Sequence, residues 1–192
     1  MSNIESLLDK DHRWEGLWRS GYALADLTTK VLIGSYNSRT LHQYTEILSH
    51  AKAPKILLYV RRTFGLAFTW VDAGCGAGVA LSELRNVFPG PNVRLIANDV
   101  RQVRHFTLKS KRGMMNVGEM FDARRVEFRR GSMARIREIV PEKCHALTSI
   151  GGFYGADDRE MQVYVLGEMY QCLHEKGIMQ VFLDTKVETL NA

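Results

Sequence analysis

The chain has 192 residues, 45% of them hydrophobic and 24% charged, with a net charge of +5, which is the composition of one globular domain and excludes disorder and fibrous repeats. No apolar stretch approaches the roughly 18 residues that a membrane span needs, and the opening "MSNIESLLDKDHRWEG" lacks the apolar core of a secretory signal. Three cysteines, Cys75, Cys144 and Cys172, are odd in number and lack metal-ligand spacing, so a reduced, cytoplasmic setting is expected.

Charge is unevenly spread. Between Arg101 and Arg137 eleven Lys/Arg stand against three acids, Glu119, Asp122 and Glu127, giving that stretch +8 and the remainder −3. It is either a solvated face or a surface for an anionic partner such as RNA; its scarcity of aromatics weakens the nucleic-acid version.

In chain order, residues 1–50 read mainly as helices, with large apolar residues three and four apart and Ser38 as a possible cap. "APKILLYVRRTFG" favours a helix, with Pro54 in the first turn and Gly65 at its C-terminal end. "AFTWVDAG" reads as a buried strand, "GVALSELRNVF" as a helix and "NVRLIANDV" as a second strand. Residues 101–121 read as helical, "RRVEFRRG" as a third strand, and "MARIREIV" as a short helix ended by Pro141. "CHALTSIGG" is a fourth strand, "DDREMQVYVLGEMYQCLHEKG" a helix closed by Gly177, and "IMQVFLD" a fifth strand. Alternating strands and helices predict an α/β fold with a mostly parallel sheet covered on both faces. Two parts are expected: an N-terminal helical segment over 1–65 and a sheet domain over 66–192.

"VDAGCGAG" sets Gly74, Gly76 and Gly78 at every second position between the first strand and its helix. Glycine admits positive φ and leaves no Cβ between backbone and ligand. The following helix start offers free N–H groups suited to an anionic group. The spacing is neither the dinucleotide G-x-G-x-x-G nor a P-loop. Asp99, ending the second strand, is placed to accept both hydroxyl protons of a ribose.

These residues resemble the class I (Rossmann-like) S-adenosylmethionine-dependent methyltransferases. "VDAGCGAG" is similar to their first motif, and "IANDV" to the strand ending in the ribose-binding acid. "VEFRRGSMARI" and "CHALTSIGG" through "HEKGIMQVFL" are similar to the later strands, over roughly residues 66–184. The resemblance implies S-adenosyl-L-methionine as cofactor. Gly74, Cys75, Gly76 and Gly78 would face it, with Cys75 a small filler rather than a nucleophile. Asp72 would hold its amino group and Asp99 its ribose; Val100, Arg101, Ser132 and Met133 would border the adenine; Ser149 and Ile150 would line the cleft. Several features depart from the family. Ser132 stands where an acid is common, and His145 where the fourth strand often opens with Asp. The chain stops after the fifth of the usual seven strands.

The resemblance implies methyl transfer to a small molecule or RNA. Tyr154, His145 and Asp157 are the candidates for an optional general base, and Phe153 and Tyr154 for substrate contact. Trp14, Trp18 and Tyr22, at four-residue spacing, read as core or as a lid. The alternative is a non-catalytic methyltransferase-like subunit that binds a partner protein or nucleic acid, with a protein partner or second copy covering the exposed sheet edge.

Overall fold

The computed structural model describes residues 31–32, 39–44, 55–110, 113–150 and 159–182. Its elements in order are β1 (Val31–Leu32), α1 (Lys55–Phe64), β2 (Phe68–Ala73), α2 (Val79–Val87), β3 (Val93–Asp99), β4 (Thr107–Ser110), β5 (Gly113–Asn116), α3 (Val117–Arg124), β6 (Val126–Arg130), α4 (Ile136–Ile139), β7 (Cys144–Ile150), α5 (Arg159–Gln171) and β8 (Leu173–Phe182). Strands β6-β3-β2-β7-β8 form one parallel sheet, the α/β sheet that the alternation predicts and the Rossmann-like arrangement that the resemblance implies. The central strands are buried on both faces, β2 throughout its length, as a parallel sheet covered by helices requires.

Side-chain alternation splits the core in two. Phe68, Trp70, Leu95, Ala97 and Ala146 face α1, α2 and α3. Val71, Ala73, Ile96 and Leu147 face α4 and α5. Ile56, Leu57 and Val60 of α1 enter the first core, so this helix is part of the cover of the sheet although it precedes residue 66. Gly65 follows it at φ 62 and donates its N–H to the Arg61 carbonyl at 3.1 Å, the left-handed stop expected of a C-terminal glycine.

Three expectations are corrected. Residues 101–121 are not one helix: a 3₁₀ turn (Val103–His105) leads into the antiparallel hairpin β4–β5, and only then into α3. Leu108 is buried against the first core and Met115 packs on it, a tertiary gain that outweighs helix propensity; Asn116 then caps α3 by accepting from the Glu119 N–H at 3.0 Å. Within 1–50, Val31–Leu32 is a strand paired in parallel with β4; residues 41–44 are helical, and Ser38, Trp14, Trp18 and Tyr22 lie outside the described residues. Finally, α5 ends at Gln171, not at Gly177. The Cys144 N–H donates to the Cys172 carbonyl at 2.9 Å, drawing the chain onto β7, and the register jumps from Cys144↔Leu173 to Ala146↔Ile178. Gly177 sits in that bulge, where a Cβ would lie 2.9 Å from the His174 carbonyl oxygen. No described helix is long and apolar enough to cross a membrane.

Candidate functional site

The chain moves outward from β2 to β3 and β6, then crosses back to set β7 on the other side of β2. The strand order therefore switches between β2 and β7, and ligands of open parallel sheets bind beyond the carboxyl ends there. Gly74, Gly76 and Gly78 form the turn at this end, at φ 73, 56 and 62. The N–H groups of Gly74 and Cys75 both donate to the Asn98 carbonyl, at 2.8 and 2.9 Å, which ties the turn to β3. Gly78 ends in the left-handed region and opens α2, and a Cβ there would meet Phe121 Cε1 at 2.4 Å. Gly78 is thus needed for conformation and packing together.

Asp99 closes the corner. Its Oδ2 accepts from the Gly76 N–H at 3.0 Å and from Arg101 Nη2 at 3.0 Å. Its Oδ1 accepts from the Arg101 N–H and from Arg101 Nε, both at 2.9 Å. Two lone pairs on each oxygen make four acceptor positions, and all four are filled. The guanidinium presents two parallel N–H donors, a stand-in for the two O–H donors of a vicinal diol. Asp99 is therefore fully engaged by the glycine turn and by Arg101 of its own loop.

The second carboxylate, Asp72, lies at the switch and is buried. The Tyr44 hydroxyl donates to Oδ1. Thr148 Oγ1 donates to the same oxygen at 3.2 Å and accepts from Trp70 Nε1 at 3.0 Å. Burial pushes the Asp72 carboxyl up to about 7; the bonds from Tyr44 and Thr148 pull it back and the Asp99 charge adds to the rise. Burial, then the Asp72 charge, holds the Tyr44 phenol well above its ordinary value. Residues 39–44 are held across this end by two more bonds, Leu41 N–H to Glu83 Oε2 at 2.6 Å and Arg39 Nη1 to the Ile150 carbonyl at 3.3 Å.

The remaining predicted residues divide clearly. Ser132 caps the 3₁₀ turn Met133–Arg135, accepting from the Ala134 N–H at 3.2 Å, and both Ser132 and Met133 are buried beyond β6. Val100 follows Asp99, and its carbonyl accepts from Arg130 Nε at 3.1 Å. Ser149 and Ile150 are buried at the carboxyl end of β7, and the Ser149 hydroxyl has no partner among the described residues. Cys75 is half-buried; burial, then the charges of Asp99 and Asp72, holds its thiol well above its ordinary value.

His145 does not belong to this corner. It lies at the amino end of β7, five residues before Ile150, about 16 Å away at the rise of a strand. There its Nδ1 accepts from the Thr69 N–H at 3.0 Å, and its ring stacks on His174 at 4.9 Å. A strand start faces away from the ligand end of a parallel sheet, which removes His145 as a base. Phe153, Tyr154 and Asp157 lie outside the described residues.

Tyr44, Thr148 and Trp70 were not anticipated as site residues. Trp70 and Asp72 share a strand face by period two, a signal present in "FTWVDA"; nothing local in "TLHQYTEIL" points to Tyr44. Part of the basic stretch is engaged internally. Arg104 pairs with Asp122, Arg124 donates to Asn86, Arg129 bridges Glu127 and Glu142, and Arg130 donates to Val100.

No family model matches the chain, and no curated protein is similar to it in sequence. Among solved structures it is similar to PKMT2 from Rickettsia typhi in complex with AdoHcy, at 20% identity over 77% of this chain and 25% of that one, with a TM-score of 0.45. It is also similar to SAM-bound CalS10, an amino pentose methyltransferase from Micromonospora echinaspora, at 13% identity over 76% and 52% of the two chains, TM-score 0.49. The sugar N-methyltransferase KedS8 from Streptoalloteichus is a third, at 13% identity over 74% and 48%, TM-score 0.47. The chain spans between a quarter and about half the length of these proteins.

Proposed function

We propose that this chain is an S-adenosylmethionine-dependent methyltransferase domain whose cofactor binds at the glycine turn. One observation carries the reading: the Gly76 N–H lies 3.0 Å from Asp99 Oδ2. That bond joins a three-glycine turn and a strand-ending carboxylate into one corner, beside the strand-order switch of a parallel sheet.

When bound, the cofactor supplies a methyl carbon already activated by its sulfonium, so the protein's task is orientation and exclusion of water. Asp99 would accept from the ribose hydroxyls. The backbone of Gly74, Cys75, Gly76 and Gly78 allows close approach, and Asp72 would hold the amino group. Val100, Arg101, Ser132 and Met133 would border the adenine, and Ser149 and Ile150 the cleft. The acceptor is a small molecule or RNA. The ion pairs of Arg104 with Asp122 and of Arg129 with Glu127 and Glu142 offset part of the positive charge that an RNA acceptor would need. Tyr154 and Asp157 stay as candidate bases if the acceptor must lose a proton.

Isothermal titration with S-adenosylhomocysteine tests the reading. The wild type should bind, and Asp99→Ala should lose at least tenfold in affinity, the value of about one charge-assisted hydrogen bond. Absence of heat at millimolar ligand from a folded protein would reject it.

A second reading, a methyltransferase-like subunit without cofactor, draws on the same corner: Arg101 fills Asp99 and Tyr44 covers Asp72. Among the described residues β8 pairs only with β7, leaving an edge for a partner chain or a second copy. A stable co-purifying chain together with no cofactor binding would favour it.

A further inference from the structure

We infer that Arg101 is a displaceable stopper of the Asp99 carboxylate, and that a ligand with two neighbouring hydroxyls binds by exchanging with its guanidinium, an inference that rests on the cofactor reading above. Of the four donors on Asp99, two are backbone N–H groups, from Gly76 and Arg101. These seat the carboxylate whatever the arginine side chain does. The other two, Nε and Nη2, belong to that side chain, and rotation of its own torsions withdraws both together.

On the carboxylate the exchange is balanced bond for bond. Each carboxylate oxygen loses one N–H donor and gains one O–H donor, so no buried acceptor is left unpaired. The donors that leave sit one on each oxygen, the pattern a vicinal diol matches. The two side chains are 10% and 5% exposed in contact, so the ion pair is formed out of water. Because arginine stays charged at any ordinary pH, the stopper is moved by ligand and not by protonation.

A binding-competent state that is a minor fraction of the population weakens apparent affinity by that fraction. Arg101→Ala and Arg101→Gln should therefore bind adenosine and S-adenosylhomocysteine about tenfold more tightly than the wild type, the effect of a competent fraction of about one in ten. The gain should vanish for 2′,3′-dideoxyadenosine, which has no diol. Titration calorimetry of the three ligands against the wild type and both variants reads this directly, with thermal melts confirming that each is folded. Equal or weaker binding by the variants, while the wild type binds, overturns the stopper and leaves the cofactor reading intact. A gain that persists with the dideoxynucleoside also overturns it, since the diol would not be the competitor. If neither wild type nor variants bind any of the three, the cofactor reading itself has failed and the stopper falls with it.

Discussion

The Tyr44 hydroxyl donates to the Asp72 carboxylate across 28 positions of chain, so an N-terminal residue sits on the acid that precedes the glycine turn. The bond places a phenol and a carboxyl together in a buried site, with Thr148 completing the acceptor's shell.

Asp72 should make stability fall as pH rises. Its folded value of about 7 lies above the ordinary 3.8, so the native state keeps a proton that the unfolded chain has released. That contribution is complete below about pH 4 and is lost as pH climbs through 7. Asp72→Asn, which cannot titrate, should therefore gain on the wild type by about 3 kcal/mol between pH 5 and pH 8.5. Urea denaturation at the two pH values measures it; a difference that does not change with pH would refute the assignment.

His145 should act with the opposite sign and away from the site. Burial, then the neighbouring His174, holds its imidazole below the ordinary value, so its contribution is present above about pH 6.5 and fades as pH falls. His145→Ala removes the acceptor of the Thr69 N–H and should cost about 1–3 kcal/mol. Its affinity for S-adenosylhomocysteine should match the wild type's. A large loss of affinity at unchanged fold would return His145 to the site.

Gly78→Ala should be strongly destabilising. The new Cβ would lie 2.4 Å from Phe121 Cε1 at a φ of +62, adding overpacking to a left-handed strain, together about 2–4 kcal/mol. Adding Phe121→Leu should restore only part of this, because the backbone strain stays. Full rescue in a denaturation series would show that contact alone requires the glycine.

Ser149→Ala should be neutral or stabilising by up to about 1 kcal/mol, since its buried hydroxyl has no partner among the described residues and its removal ends a desolvation cost. A clear drop in midpoint would reveal a partner for the hydroxyl.

Local chemistry made much of this protein legible. Short apolar-rich runs mark the buried strands β2 and β3, Gly65 stops α1, and the run from Gly74 to Gly78 reads as a tight turn, because these signals arise from a residue and its near neighbours. The parallel sheet and the meeting of Gly76 with Asp99 follow from strand–helix alternation and the chirality of its crossovers. What depends on distant partners stayed hidden. Leu108 and Met115 make a hairpin of a helical-looking segment because a core awaits them. His145 moved out of the site because parallel strands put their starts and ends on opposite rims. Tyr44 joined it through a bond formed only once the sheet had folded. Even Arg101, two residues from Asp99, became a stopper only when the Gly76 N–H fixed the direction in which that carboxylate faces. Spacing along a chain can nominate chemical groups, but which lone pair each one fills is set by packing.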